Sequence, residues 1–144
     1  MLVKRVYCSP ILGTLLLKGE PLAGVEVVRE VTGPGLPNGR LKDRVLTNER
    51  GQFEFPQVAQ RVLQMPFQPK RPPTILQTLN ADVEGYAYCI WAFGKGDFDL
   101  GTETGQPEIR LSYELSGASS GEFVSGHKKR NFREVDWMIE GELA

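Results

Sequence analysis

The one imidazole in this sequence, His127, sits beside Lys128, Lys129 and Arg130. A nucleophile–base pair would have to be built on it, yet three adjacent cations oppose its protonation. The run therefore reads as an exposed loop. Cys8 and Cys89 stand singly, without Cys-x-x-Cys spacing, and no cluster of histidine, cysteine and carboxylate has the spacing of metal ligands. Ser119-Ser120-Gly121 lacks the Gly-x-Ser-x-Gly pattern of a nucleophile elbow and reads as flexible loop. Asp97, Asp99 and Glu103 offer hard oxygens to calcium, but the remainder of a calcium-loop signature is missing. Gly94-Lys95-Gly96 would suit an anion, except that Asp97 and Asp99 follow at once and reverse the local field. These residues predict no catalytic group, no metal and no cofactor, and a chain that is not an enzyme.

What remains is chemistry of contact. The basic run His127, Lys128, Lys129 and Arg130, extended by Phe132 and Arg133, suits an acidic protein surface. Nucleic acid is excluded as a partner, because the net charge is −1 and nothing else is basic enough to track a phosphate backbone. The same charge supplies no field toward an anionic membrane, and no stretch of about eighteen apolar residues predicts insertion into one. The loop from Gly94 to Pro107 carries the opposite charge. Asp97, Phe98 and Asp99 are its candidate contacts with a partner protein. Smaller basic islands occur at Arg40, Lys42 and Arg44 and at Lys70-Arg71. Tyr86, Tyr88, Trp91 and Phe93 are expected to divide between two faces of a strand, one in the core and one outside, where aromatics anchor interfaces.

Such loops need a rigid frame, and the pattern predicts an all-β one. With 144 residues, 40% hydrophobic and 24% charged, the chain suffices for one domain with a sizeable core. About seven strands are expected. Lys4–Cys8 and Ile11–Lys18 come first, as two strands or one bent strand, and Val25–Val31 follows. Arg44–Thr47 and Gln52–Phe55 are expected to pair as a hairpin. Pro66, Pro69, Pro72 and Pro73 forbid a long helix or a central strand between Gln57 and Pro73, leaving room for a helical turn near Ala59–Leu63. Ile75–Val83 and Tyr86–Phe93 are joined through Glu84-Gly85. In Ile109–Leu115 the residues Ile109, Leu111, Tyr113 and Leu115 face inward at a period of two. Val135, Trp137 and Ile139 predict a final strand, with a short helix as the alternative. Residues 1–116 form the sandwich and 117–144 a C-terminal loop and strand packed on it. Phe53, Phe55 and Trp91 are predicted core residues.

Two motifs carry the frame. Gly13-Thr14-Leu15-Leu16-Leu17-Lys18-Gly19-Glu20-Pro21-Leu22-Ala23-Gly24-Val25-Glu26-Val27 reads as strand, tight turn, strand, as does Thr47-Asn48-Glu49-Arg50-Gly51-Gln52-Phe53-Glu54-Phe55-Pro56. Asn48 is placed to bond a turn N–H, and Pro56 to end its strand. The pair resembles the carboxypeptidase regulatory-like, or transthyretin-like, domains. That resemblance implies a seven-stranded Greek-key β-sandwich, here with a C-terminal extension. Ile90-Trp91-Ala92-Phe93, the Glu103–Gly105 turn and Leu111-Ser112-Tyr113-Glu114-Leu115 resemble a narrower group, small single-domain bacterial proteins encoded near type VI secretion effectors. This second resemblance implies an immunity or accessory protein that binds an effector sterically. A structural or adhesion module self-associating through an edge strand is the alternative, with a small hydrolase behind it. Ser9, Pro10, Gly13 and Thr14 interrupt the apolar N-terminal stretch, so no secretory leader is expected and the cytoplasm is the predicted compartment, or the periplasm if a leader has been removed. Cys8 and Cys89 then act as half-buried small hydrophobes, or form one bridge in an oxidising compartment.

Overall fold

The computed structural model describes residues 2–64 and 71–115. Ten strands run in order: β1 Leu2–Cys8, β2 Ile11–Leu17, β3 Glu20–Pro21, β4 Glu26–Thr32, β5 Arg40–Leu46, β6 Gln52–Phe55, β7 Val58–Leu63, β8 Ile75–Val83, β9 Tyr86–Lys95 and β10 Ile109–Glu114. A short 3-10 turn at Pro37–Gly39 precedes β5, and no α-helix occurs among the described residues. One sheet has the order β5-β4-β8-β9. A second is built on β2, with β10 on one side and β6 and β3 on the other. β1 and β7 form a separate two-stranded ribbon. The larger sheets enclose one core in a β-sandwich-like arrangement.

Alternation fixes which face is buried. Ile11 and Leu15 of β2, Phe53 and Phe55 of β6, and Ile109, Leu111 and Tyr113 of β10 all turn inward. They meet Val27 and Val31 of β4, Ile75 and Leu79 of β8, and Trp91 of β9. Gly13 completes the inner row of β2 for a steric reason. A Cβ there would lie 2.1 Å from Cζ of Phe53, so the phenyl ring occupies the space that any other residue would need.

The second glycine-rich motif does something other than make a hairpin. β5 pairs with β4, whereas β6 pairs with β2, so the Asn48–Gly51 turn carries the chain from one sheet to the other. The expected β5–β6 hairpin is therefore corrected to an arch. The local chemistry of the turn matches expectation: Asn48 Oδ1 accepts from the N–H groups of Arg50 and Gln52, both at 2.9 Å. Thr47 staples the two motifs together. Its hydroxyl donates to the Leu22 carbonyl at 2.6 Å and accepts from the Val25 N–H at 2.9 Å. In the first motif only Leu16–Leu17 and Glu20–Pro21 pair before the chain crosses to β4.

Of the two readings of the N-terminal stretch, two strands holds and one bent strand does not, since β1 belongs to the ribbon and β2 to a sheet. Two further expectations change. The helical turn at Ala59–Leu63 is instead strand β7, because β1 offers it an antiparallel partner from Leu2↔Leu63 to Cys8↔Val58, with one irregularity between Val6 and Cys8. The strand total exceeds seven for the same reason. The expected strand at Val135, Trp137 and Ile139, and the domain division after residue 116, lie outside the described residues.

The aromatic strand β9 holds the largest correction. Tyr86, Tyr88, Trp91 and Phe93 do not divide between faces. Pairing steps from Asn80↔Cys89 to Leu79↔Trp91, leaving Ile90 as an extra residue in a bulge. The partners of the four aromatics are Val83, Ala81, Leu79 and Gln77, every second residue of β8. All four thus lie on one side, with Tyr86 packed on Tyr88 and Trp91 stacked on Phe93.

Candidate functional site

The loop expected from Gly94 to Pro107 was the acidic half of the expected interface; its first two residues end β9, and the structure buries Lys95 and Glu103 of its charged groups. Glu103 is only 8% exposed. Its Oε1 accepts from the Ser9 hydroxyl at 2.7 Å, and its Oε2 accepts from the Ser9 N–H at 2.9 Å and from Gln77 Nε2 at 2.7 Å. Gly101 N–H donates to Ser9 Oγ, and Trp91 Nε1 donates to Gln77 Oε1. Lys95, also buried, ion-pairs with Asp97 at 3.0 Å and donates to the Asp99 carbonyl. Asp97 additionally accepts from Thr102 and from the Asp99 N–H. Partial burial raises the Asp97 carboxyl, but the bonds from Thr102, Asp99 and Lys95 outweigh it and hold the group below its ordinary range.

The three candidate contacts in this loop consequently differ in role. Asp97 is spent on closing the loop. Phe98 packs edge-on against Tyr7 beneath the Arg5 guanidinium, and its carbonyl accepts the Val6 N–H. Asp99 is exposed. The calcium reading fails on the same geometry, since Glu103 points into the core while Asp97 faces Lys95. No group of three or more histidine, cysteine, aspartate or glutamate residues is placed to hold a metal among the described residues. His127, Lys128, Lys129 and Arg130, the basic half of the expected interface, lie outside the described residues.

The Ser9–Glu103 pair is not a nucleophile and base. Ser9 is fully buried and its hydroxyl both donates and accepts, leaving neither access for a substrate nor a free lone pair in a useful direction. Sequence reading missed this cluster and a second one around Arg29. That guanidinium, 1% exposed, makes a bidentate contact with Asp43 at 2.9 and 2.6 Å. It also donates to the Pro56 carbonyl at 2.6 Å and lies over the Phe55 ring. The only signal was a charged residue at a core-facing position of β4, between Val27 and Val31.

Cys8 and Cys89 are free and fully buried, which corrects both the half-buried reading and the bridge. Burial pushes the Cys8 thiol up to about 12 against the pull of Arg29, and burial raises Cys89 further still. Neither is an available nucleophile at neutral pH.

Accessible recognition chemistry lies instead on the outer face of the β2 sheet. An open groove of about 800 Å³ crosses it. Leu12 is the register partner of Arg110 on one side and of Glu54 on the other, giving a row of cation, apolar side chain and anion. Thr14 stands likewise between Ser112 and Gln52, giving a neutral polar row beside it. Val45, Leu46 and Asn48 from the β5–β6 arch add to the lining. Alternation within β2 sets Leu12 and Thr14 opposite the buried Ile11 and Leu15, but the parallel β2–β10 pairing that brings in Arg110 and Ser112 has no local sequence signal.

No curated protein matches the chain. Among solved structures, it is similar to part of a 9R-lipoxygenase from Cyanothece PCC8801, at 16% identity and a TM-score of 0.31, over 76% of this chain and 16% of that one. It is also similar to an intradiol ring-cleavage dioxygenase from Tetranychus urticae, at 19% identity and a TM-score of 0.28, over 60% of this chain and 51% of that one. The chain spans well under two thirds of either protein, and likeness at this level carries no argument about chemistry. A family model matches residues 11–118, from the start of β2 to beyond the end of β10, and the chain accordingly belongs to the family described as a domain of unknown function, DUF6795.

Proposed function

We propose that this chain is a protein-binding domain acting by contact, without catalysis, through the outer face of the β2 sheet. The supporting observation is the groove in which Arg110, Leu12 and Glu54 stand abreast, next to Ser112, Thr14 and Gln52. An extended peptide segment presents alternating apolar and polar groups at the strand repeat, which suits two such rows. The groove sits on regular strands, so binding needs little reordering of the backbone and loses little affinity to entropy. On the resemblance to transthyretin-like domains and to small bacterial proteins encoded near secretion effectors, the partner is a secreted effector, and the role is that of an immunity or accessory protein. Two unbridged cysteines suit a compartment that keeps thiols reduced, such as the cytoplasm.

Calorimetry with the product of an adjacent effector gene tests this reading. Leu12→Arg combined with Arg110→Glu is expected to weaken the complex by at least about tenfold, the loss of roughly 1.4 kcal/mol, with an unchanged melting temperature. A complex indifferent to both substitutions would remove the groove from the reading. A stable dimer of the chain alone in light scattering would favour self-association through the outer edge of β10, which pairs with no other strand among the described residues.

A further inference from the structure

The β1–β7 ribbon has one face that the core uses only at its inner end. Register places Leu2 opposite Leu63, Lys4 opposite Arg61 and Val6 opposite Ala59. Residues two apart on a strand share a face, so these three pairs form one file along the ribbon. At its inner end Val6 is buried. At its outer end Leu2 and Leu63 are 63% and 61% exposed, the largest such apolar pair in register among the described residues. Lys4 and Arg61, between them, are both exposed and make no ion pair with any described residue. Like charges directly opposite each other on neighbouring strands repel. An external anion would relieve that repulsion.

We propose that this face is a peripheral docking site for an anionic lipid surface. The order of groups along the file favours a bilayer over an acidic protein. Among the described residues the leucines are outermost, and the cations are set back by two residues, about 6.8 Å along a strand. An interface in which apolar groups enter about 5–10 Å below the headgroups while cations remain level with the phosphates has the same grading. A flat acidic protein surface would engage the cations and leave the leucine tip unburied. The net charge of −1 conceals the site, because it averages a local cationic patch with carboxylates elsewhere. The inference does not depend on the groove, which is built from β2, β6 and β10.

The test is co-sedimentation of the full chain with vesicles of equal parts phosphatidylglycerol and phosphatidylcholine, against vesicles of phosphatidylcholine alone. Binding to the anionic vesicles only, weakened by added salt, is the expected result. Lys4→Glu with Arg61→Glu is expected to reduce it at least about tenfold. Leu2→Asn with Leu63→Asn is expected to reduce it at low salt as well, while leaving the circular dichroism spectrum unchanged. Sedimentation of the wild-type chain with neither vesicle would overturn the proposal. So would full binding by the leucine variant, since the face would then be a simple ion exchanger that an acidic protein could occupy.

Discussion

Phe53 and Gly13 are a matched pair, because the ring of one fills the volume that a side chain on the other would take. Phe53→Ala is expected to cost about 3–5 kcal/mol, the usual range for emptying a buried phenyl site. Gly13→Ala alone is expected to destabilise by forcing the ring away, yet to cost much less in the Phe53→Ala background, where the clash is gone. Urea denaturation of the four proteins in this cycle measures the coupling, and simple additivity would show that the ring does not depend on Gly13. Asp97 makes a separate, pH-dependent contribution. Its carboxyl is held below the ordinary 3.8, so the folded state favours the charged form. The stabilisation is complete above pH 3.8 and is lost as pH falls through the folded value. The melting-temperature difference between wild type and Asp97→Asn is therefore expected to hold constant near neutrality and shrink in more acidic buffer. A difference that grows on acidification would mean the opposite sign of shift.

The bulge at Ile90 decides how β9 meets the core. Were Ile90 paired in an unbroken ladder, Trp91 and Phe93 would fall on the side opposite Tyr86 and Tyr88, since side chains alternate strictly along such a strand. Deleting Ile90 sets Trp91 directly after Cys89, just as their partners Leu79 and Asn80 are adjacent on β8. It is therefore expected to leave all four aromatics on one side and their near-ultraviolet dichroism intact at the cost of one buried side chain, whereas Ile90→Val should cost only about 0.5–1.5 kcal/mol. A deletion variant that loses cooperative unfolding and this dichroism would show that the bulge itself is needed where β9 meets the core. This element also shows what could be read in advance. The span Ile75–Val83 and the inward set Ile109, Leu111, Tyr113 and Leu115 follow from short-range alternation and match the structure. The division of aromatics failed because one unpaired residue inverts the parity and leaves no mark in composition. The β5–β6 hairpin failed because the same turn chemistry at Asn48 serves a hairpin and an arch equally well, and only distant partners distinguish them. For the recognition surface, the outward residues of β2 follow from alternation, but their flanking rows came from strands about forty and one hundred positions away. The acidic loop was legible as a loop, whereas the inward turn of Glu103 depended on Ser9 and Gln77, neither of which carries a local cue.

The molecule as a whole is stitched by pairs remote in sequence. β2 joins β10 in parallel, and Ser9 holds Glu103 across a separation of 94 positions. Topology of this sort slows folding, since loop closure must precede any stabilising contact. Stopped-flow refolding is expected to occur in milliseconds to seconds, and a microsecond rate would contradict the strand connections. Native-state hydrogen exchange should rank the β4–β8 ladder as most protected and the tip of the β1–β7 ribbon as least, because the former is central and the latter ends in exposed residues. The parallel pairing carries one more consequence, for a chain emerging from the ribosome. Until Ile109–Glu114 has been synthesised, one edge of β2 lacks its neighbour and the inward side chains of Ile11 and Leu15 are only partly covered. The nascent polypeptide therefore passes most of its translation with a sticky seam open, a window in which holdase chaperones would find it and truncated products would clump.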